Sequence, residues 1–295
     1  MRKQLYSNLK NYFRLLRVTN WLKNIFVFVP LVFSKHLFDL NYIYEVLIGF
    51  IAFSFTSSFV YVFNDIFDAE MDRRHPLKKN RPVASGVINK SNAVLVLTLL
   101  LIIIGLFTVY IQRDFVLMLW AYIAINIAYT LYLKKIVIAD LFCIAAGFLL
   151  RVIAGAFIIS VYLSNWLILT TIFLSLFLAV MKRRVEIASN PSASDQRVVL
   201  KDYSLNFIDL IAAITASCVI LSYALYTVAE RTINAFGSEE LVFTTLFVIF
   251  GIFRYMFIAI KKNKGENVVE LLLTDIPMLI NIFFFITISL YIIYY

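Results

Sequence analysis

A chain of 295 residues that is 62% hydrophobic and only 15% charged has too little polar material to clothe a water-soluble globule, because soluble domains run to roughly 25% charged residues. Its apolar residues come in blocks long enough to cross a bilayer, which takes about 20 residues at 1.5 Å rise each. A soluble enzyme, a secreted disulfide scaffold and a disordered chain are therefore excluded. Cys143 and Cys218 each lie inside an apolar block and read as small core side chains. The formal charge of +9 would point to nucleic acid in a soluble protein. In a membrane protein the distribution of charge matters more than the sum, and no nucleic-acid partner is expected.

In chain order, nine spans are predicted, near residues 22–38, 43–63, 92–111, 115–133, 138–160, 165–181, 209–229, 241–260 and 276–294. The first follows a mixed polar arm without a small-residue cleavage site, so it is read as a permanent span and not as a signal peptide. Lys23, Pro30 and Lys35 within or beside it make it the least regular. The expected fold is an all-α, nine-helix membrane bundle, with residues 1–295 forming one domain surrounded by membrane lipids. Sorted by alternating connection, 23 of the 27 basic residues fall on one side, against Lys35, Arg113 and Arg231 on the other. Basic residues collect in cytoplasmic loops, so the N-terminus and the long polar connections are expected in the cytoplasm of a multi-pass cell-membrane protein. That face is also stocked with paired acids and bases, which predicts catalysis at the cytoplasmic mouth. No stoichiometry follows from the sequence, and a homo-oligomer is left open.

Arg17, Trp21, Lys23 and Asn24 form the first polar group. Trp21 suits an interface anchor and Lys23 a snorkelling side chain, while Lys23 and Asn24 are also placed to reach the mouth. The end of span 2 is more informative. Asn64 opens a set in which Asp65, Asp68 and Asp72 follow at spacings of three and four, so a continuing helix would project them from one face. Like charges at such spacings repel by a few tenths of a kcal/mol per pair, a conflict that a divalent cation resolves. Oxygen ligands without histidine or cysteine favour Mg²⁺, which shares its coordination with substrate phosphates. The bland alternative is a solvated helix end whose acids pair with Arg73 and Arg74.

His75, before Pro76, reads as a loop hydrogen-bonding residue or a phosphate contact. Lys78, Lys79 and Arg81 follow, and they either neutralise phosphates or simply touch headgroups. Pro76, Pro82 and Gly86 predict an ordered loop over the mouth.

Span 5 carries Asp140, Gly147, Arg151 and Gly155 near one helical stripe. Arg151 lies two to three turns into the hydrocarbon, where an arginine costs about 2.5–3.5 kcal/mol, so it must face a polar cavity, a phosphate or a counter-charge from another helix. Lys182, Arg183, Arg184 and Glu186 end span 6, followed by Arg197, Lys201 and Tyr203. Arg254 and Tyr255 lie in span 8, and Asp275 precedes span 9. Each suits a topology determinant or an interhelical pair, and together they suit a wide anionic site.

The string Asn64-Asp65-x-x-Asp68-x-x-x-Asp72 resembles the first aspartate-rich motif of the UbiA-type membrane prenyltransferase superfamily. Its continuation from Asp72 through His75, Lys78, Lys79 and Arg81 to Gly86 is similar to the polyprenyl-phosphate (decaprenyl-phosphate) phosphoribosyltransferase branch. Arg17-x-x-x-Trp21-x-Lys23-Asn24-x-x-Val27-Phe28-x-Pro30 resembles the N-terminal signature of that branch. The stretch Ala145–Gly155, Lys182-Arg183-Arg184-x-Glu186, Arg254-Tyr255 and Leu273-Thr274-Asp275-x-Pro277 extend the resemblance along nearly the whole chain. Asp140 stands in the region of the superfamily's second acidic motif, but the next acidic partner is missing, as in this branch.

The resemblance implies transfer of the 5-phosphoribosyl group from 5-phosphoribosyl 1-diphosphate to a polyprenyl phosphate. The product would be a lipid-linked pentose precursor for envelope polysaccharide. Asp65, Asp68 and Asp72 are then catalytic and hold Mg²⁺. Lys23, Asn64, Arg73, His75, Lys78, Arg81, Asp140, Arg151, Lys182, Arg183, Arg254 and Tyr255 are expected to bind substrate. Prenyl transfer to an aromatic or other acceptor is the competing enzyme activity, and a transporter or nonenzymatic lipid-binding protein is the competing class.

Overall fold

Inside a bilayer each backbone N–H and C=O must be satisfied within the protein, so long Leu-, Ile-, Val- and Phe-rich runs fold as helices. The computed structural model describes residues 2–75, 78–189, 198–261, 271 and 274–295, and all regular structure among them is helical. Pro76, Arg197, Lys262 and Lys264, which entered the loop and charge readings, lie outside the described residues. The helices are α1 (Arg2–Leu16), α2 (Val29–Phe33), α3 (Leu40–Phe67), α4 (Ala69–Arg74), α5 (Lys90–Tyr110), α6 (Arg113–Leu131), α7 (Ala139–Ile158), α8 (Asn165–Ser189), α9 (Leu205–Val228), α10 (Glu230–Phe236), α11 (Thr245–Lys261) and α12 (Ile276–Tyr294). Helix starts are marked by short polar residues that capture orphan amides. Asp39, Asn89, Ser204 and Asp275 accept from the amides of Asn41, Asn92, Phe207 and Met278.

Among the described residues, eight helices are long and apolar enough to cross a membrane, and they fall on the second to ninth expected spans. The protein is thus an all-α, multi-pass membrane protein. The first expected span departs from the prediction. Arg17 adopts a left-handed conformation (φ 50°, ψ 48°) and ends α1; Val18–Phe28 winds as a 3-10 helix, and α2 completes the segment. The pieces 9–16 and 18–33 are bent by 41°, so this element is a broken span or a re-entrant loop. Its polar residues explain the departure: Trp21 and Asn24 make side-chain bonds to α3 that a uniform lipid-facing helix would not need.

The chain divides into two compact units. The first comprises residues 1–133 and 150–161, and its core packs around α3 with Phe53, Val60, Leu100, Ile104, Phe115 and Leu119 buried. Within it, the 3-10 segment crosses α7 at backbone contact distance: a Cβ added to Gly155 would lie 2.0 Å from the carbonyl oxygen of Val27. The second unit comprises residues 134–149 and 162–295, with a core of α8, α9 and α11 side chains including Phe177, Met181, Ile208 and Tyr255.

Candidate active site

The acidic motif sits where α3 leaves the first unit's core. The expected single helix through Asp72 is bent instead. Asp68 (φ −88°, ψ 3°) closes α3, and α4 resumes at Ala69. The amides of Asp68 and Asp72 still donate to the carbonyls of Asn64 and Asp68 at 2.9 and 2.8 Å, so the backbone stays hydrogen-bonded through the bend. All three are buried, Asp65 to 1% exposure. Charges withdrawn from water demand partners, and two arginines supply them. Arg17 donates to Asp65 Oδ1, while Arg81 donates to Asp72 Oδ2 at 2.6 Å and stands 3.5 Å from Asp65 Oδ1. The pairing of these acids with Arg73 and Arg74 is not seen: both arginines are exposed, and Arg73 Nε donates to the carbonyl of Ala84. Glu70 points away, toward Lys90.

Among the described residues, no three His, Cys, Asp or Glu side chains converge on one point as a ready metal site. The donor set nevertheless fits a hard divalent cation. It consists of carboxylate oxygens alone, and Asp65 Oδ2 is buried without a hydrogen-bond partner, an acceptor whose burial is costly unless something donates or coordinates to it.

The described part of the following loop is held by its own bonds. His75 Nδ1 accepts from the amide of Lys78, which makes it a loop-holding group. Lys78–Asn80 forms a 3-10 turn, the amides of Arg81 and Ser85 donate to the carbonyls of Lys78 and Arg81, and Gly86 takes φ 79°. Pro82, Val83 and Ala84 are buried, so the segment is packed against the unit. Between this loop and the N-terminal arm lies a cleft of about 720 Å³, lined by Lys10, Phe13, Arg14, Arg17, Val18, Thr19, Asn20, Asp65, Asn80, Arg81 and Pro82. Arg14 spans it, donating to the carbonyl of Asn80 at 3.0 Å.

A second polar group lies deeper in the first unit. Asn24, fully buried, donates to Ser54 and Ser57 and accepts from Arg151 Nε at 2.8 Å. Arg151 also donates to the Tyr122 hydroxyl at 3.0 Å, with its guanidinium over the rings of Phe53 and Tyr122 at 5.1 and 4.8 Å. The expected departure of Arg151 from lipid is thus met by amide, phenol and π-face partners. Lys23 precedes Asn24 on the 3-10 segment.

In the second unit the expected site residues are engaged with each other. Asp140 is fully buried, with Oδ2 accepting from Arg183 Nε at 2.8 Å and Oδ1 from the Tyr203 hydroxyl at 2.9 Å. Arg183 also pairs with Glu186 at 2.6 Å. The Ile138 amide donates to the Tyr203 phenol, whose burial pushes its pKa up to about 12. Direct substrate contact was expected of Asp140 and Arg183. Both are held in ion pairs in this arrangement. Arg254 is likewise clamped to both oxygens of Asp275 at 3.0 and 2.9 Å. Tyr255 is buried edge-on against Phe177, and half-buried Lys182 precedes Arg183 on α8.

The structure therefore brings together Asp65, Asp72 and Arg81 with Arg17, and Arg151 with Asn24 and Tyr122. Sequence reasoning passed over Tyr122, Ser54 and Ser57, which are ordinary apolar-span residues by type. It also treated Lys10 and Arg14 as topology charges, although their i, i+4 spacing, continued at i+7 by Arg17, was a legible stripe.

A model of the UbiA prenyltransferase family matches residues 25–268. Decaprenyl-phosphate phosphoribosyltransferase of Corynebacterium glutamicum is 33% identical over 218 residues, covering 72% of this chain and 65% of that protein, so the aligned part spans just under two thirds of this relative. The protein of the same name from Mycobacterium tuberculosis is 30% identical over 217 residues, with 72% of each chain covered. Among solved structures, a UbiA homolog from Archaeoglobus fulgidus bound to GPP and Mg²⁺ superposes with a TM-score of 0.71 at 19% identity, covering 96% of this chain and 99% of that one. At that identity the likeness establishes the fold. The chain belongs to the UbiA prenyltransferase family, in the branch that contains the decaprenyl-phosphate phosphoribosyltransferases.

Proposed function

We propose that the chain, acting as one enzyme domain over residues 1–295, transfers the 5-phosphoribosyl group of 5-phosphoribosyl 1-diphosphate to a polyprenyl phosphate. Diphosphate is released, and a lipid-linked pentose phosphate is left for envelope polysaccharide synthesis. The observation that carries this reading is the cleft in which buried Asp65, with its unpartnered Oδ2, meets the guanidinium groups of Arg17 and Arg81. A prenyl-diphosphate site needs one anionic locus. A donor with phosphates at both ends needs cations along a length of cleft, and this one has them.

Asp65, Asp68 and Asp72 are the residues that would hold Mg²⁺. When bound, the ion neutralises the diphosphate and makes it a better leaving group. Arg17 and Arg81, already beside those carboxylates, are placed to meet the remaining phosphate charge. Asn64, Arg73, His75 and Lys78, on the helix end and loop around them, complete the substrate contacts. Lys23 and Arg151 are assigned to the acceptor phosphate, with the tail among the apolar helices. The acceptor is already an anion, so catalysis rests on positioning and charge neutralisation more than on a general base. Its oxygen forms the bond to C1 as the bond from C1 to the diphosphate breaks. Attack opposite the leaving group converts the α donor into a β product. The basic-residue distribution favours a cytoplasmic mouth.

The test is an assay of the purified full-length protein with isotopically labelled 5-phosphoribosyl 1-diphosphate, polyprenyl phosphate and Mg²⁺, following both products and the anomeric configuration. Sugar transfer with inversion and diphosphate release is the expected result. Exclusive transfer of a prenyl group from a prenyl diphosphate, retention at C1, or lipid binding without turnover would overturn it.

A further inference from the structure

We propose that Lys10 and Arg14 of α1 form the subsite for the donor's 5-phosphate, a cationic site for a phosphate monoester that needs no metal. The assignment rests on the functional reading above and gives it a donor-recognition element.

α1 is two-faced. Leu15 is fully buried, and Tyr12 and Leu16 pack on the first unit's core. Lys10 and Arg14 are exposed and line the cleft. They stand at i and i+4 on one stripe of α1, and Arg17, just past the helix end, is the next cation of the arm. Such neighbours repel one another, so an anion between them relieves a conflict that the helix itself does not. The left-handed turn at Arg17 then directs the last of the three onto Asp65.

The two ends of the cleft differ chemically. Among the described residues lining it, Asp65 is the only carboxylate, and a diphosphate beside it needs a metal to offset like charge. Toward α1 the lining changes to Lys10, Arg14 and the backbone of Asn80, where a phosphate meets cations directly. Arg14 spends one of its five N–H donors on the carbonyl of Asn80, which steadies its planar fork across the mouth. Lys10 and Arg14 stand about one helical turn apart, about 6 Å along α1, close enough to hold one phosphate between them. Lys10 and Arg14 also precede residues 25–268, the stretch shared across the family.

A basic amphipathic helix can also rest on lipid headgroups, so the test separates a sugar phosphate from a lipid phosphate. The full-length protein is placed in zwitterionic and in anionic-lipid nanodiscs, as wild type, as the K10A/R14A double variant and as R14K. Kinetics are measured with 5-phosphoribosyl 1-diphosphate and with ribosyl 1-diphosphate lacking the 5-phosphate, and binding of ribose 5-phosphate is measured directly. Losing charge-assisted bonds is expected to raise KM for the phosphorylated donor about 10- to 100-fold with little change in kcat. The double variant should also lose ribose 5-phosphate binding while using the shortened donor as wild type does, and R14K should recover part of the loss. Equal damage with both donors would reduce Arg14 to a loop tether and overturn the proposal. So would unchanged ribose 5-phosphate binding, or an effect seen only with anionic lipid. A wild type inert toward 5-phosphoribosyl 1-diphosphate would instead overturn the functional reading, whereas an active wild type with an unaffected double variant overturns the subsite alone.

Discussion

Arg151 shows how a single side chain can reveal a site inside a membrane. An arginine at that depth is tolerated because Asn24, Tyr122 and Phe53 replace water around its guanidinium. Arg151→Leu removes the donor and strands the Asn24 oxygen and the Tyr122 hydroxyl. Thermal stability in detergent is expected to fall by about 1–3 kcal/mol for each buried group left unpaired, with turnover also lost. Arg151→Lys keeps the charge without the fork, so it should fold better than the leucine variant while remaining kinetically impaired. Wild-type melting and kinetics in Arg151→Leu would remove both roles. Asp68→Asn preserves shape at the α3–α4 bend and removes a charge, so a sharp loss of turnover with a near-normal melting curve is expected; unchanged magnesium dependence would remove Asp68 from the metal set. Asp140→Ala should act differently. It removes one of the two carboxylates on buried Arg183 and leaves Glu186, so the loss is expected to fall short of the about 3–5 kcal/mol of a fully orphaned charge. Its signature is therefore loss of folded protein in size-exclusion chromatography, not a selective rise in KM.

Helices and loops impose constraints that individual residues do not show. Gly155 is where α7 meets the backbone of the 3-10 segment, so even a methyl group forces the two apart. Gly155→Ala is expected to lower stability by about 1–3 kcal/mol or more, the range for overpacked cores. Gly105→Ala in α5 meets nothing within 4 Å and gains helix propensity, so its melting temperature should hold or rise. Equal behaviour of the two variants would deny the close crossing. The connection before α9 carries a pH response. The Tyr203 pKa is raised in the folded protein to about 12, against about 10 in an unfolded chain, so the folded state binds the proton more tightly. Its contribution is fully present below pH 10 and is lost as pH rises through about 12. Tyr203→Phe should show a lower melting temperature at neutral pH and a flatter alkaline decline than wild type; parallel declines would assign the alkaline loss to other groups.

For the molecule as a whole, orientation in the bilayer is the property with the most consequences. The basic residues of the arm and of the connections after α4, α6 and α8 all belong to alternate connections. Single cysteines near Lys78 are expected to react with membrane-impermeant reagents from the cytoplasmic side only, and those near Phe236 from the opposite side only. The reverse labelling pattern would invert the topology and move the cleft away from the soluble donor proposed for it.

The amino-acid sequence by itself determined the membrane class, eight of the spans and the acidic motif, because hydropathy and spacing are local quantities that survive without tertiary contacts. It also located Arg151 as a cation needing a partner, because the cost of a charge in hydrocarbon does not depend on which neighbour relieves it. Only the tertiary structure decided who the partners are. Asp65 and Asp72 turned to Arg17 and Arg81 and not to the adjacent Arg73 and Arg74, because burial rewards groups that converge in space over groups that are near in sequence. The same cause broke the first span, where bonds from Trp21 and Asn24 to α3 outweigh a regular helix. It also closed Asp140 into a pair with Arg183, and it set Lys10 and Arg14, indistinguishable in sequence from topology charges, along one wall of the cleft that holds Asp65.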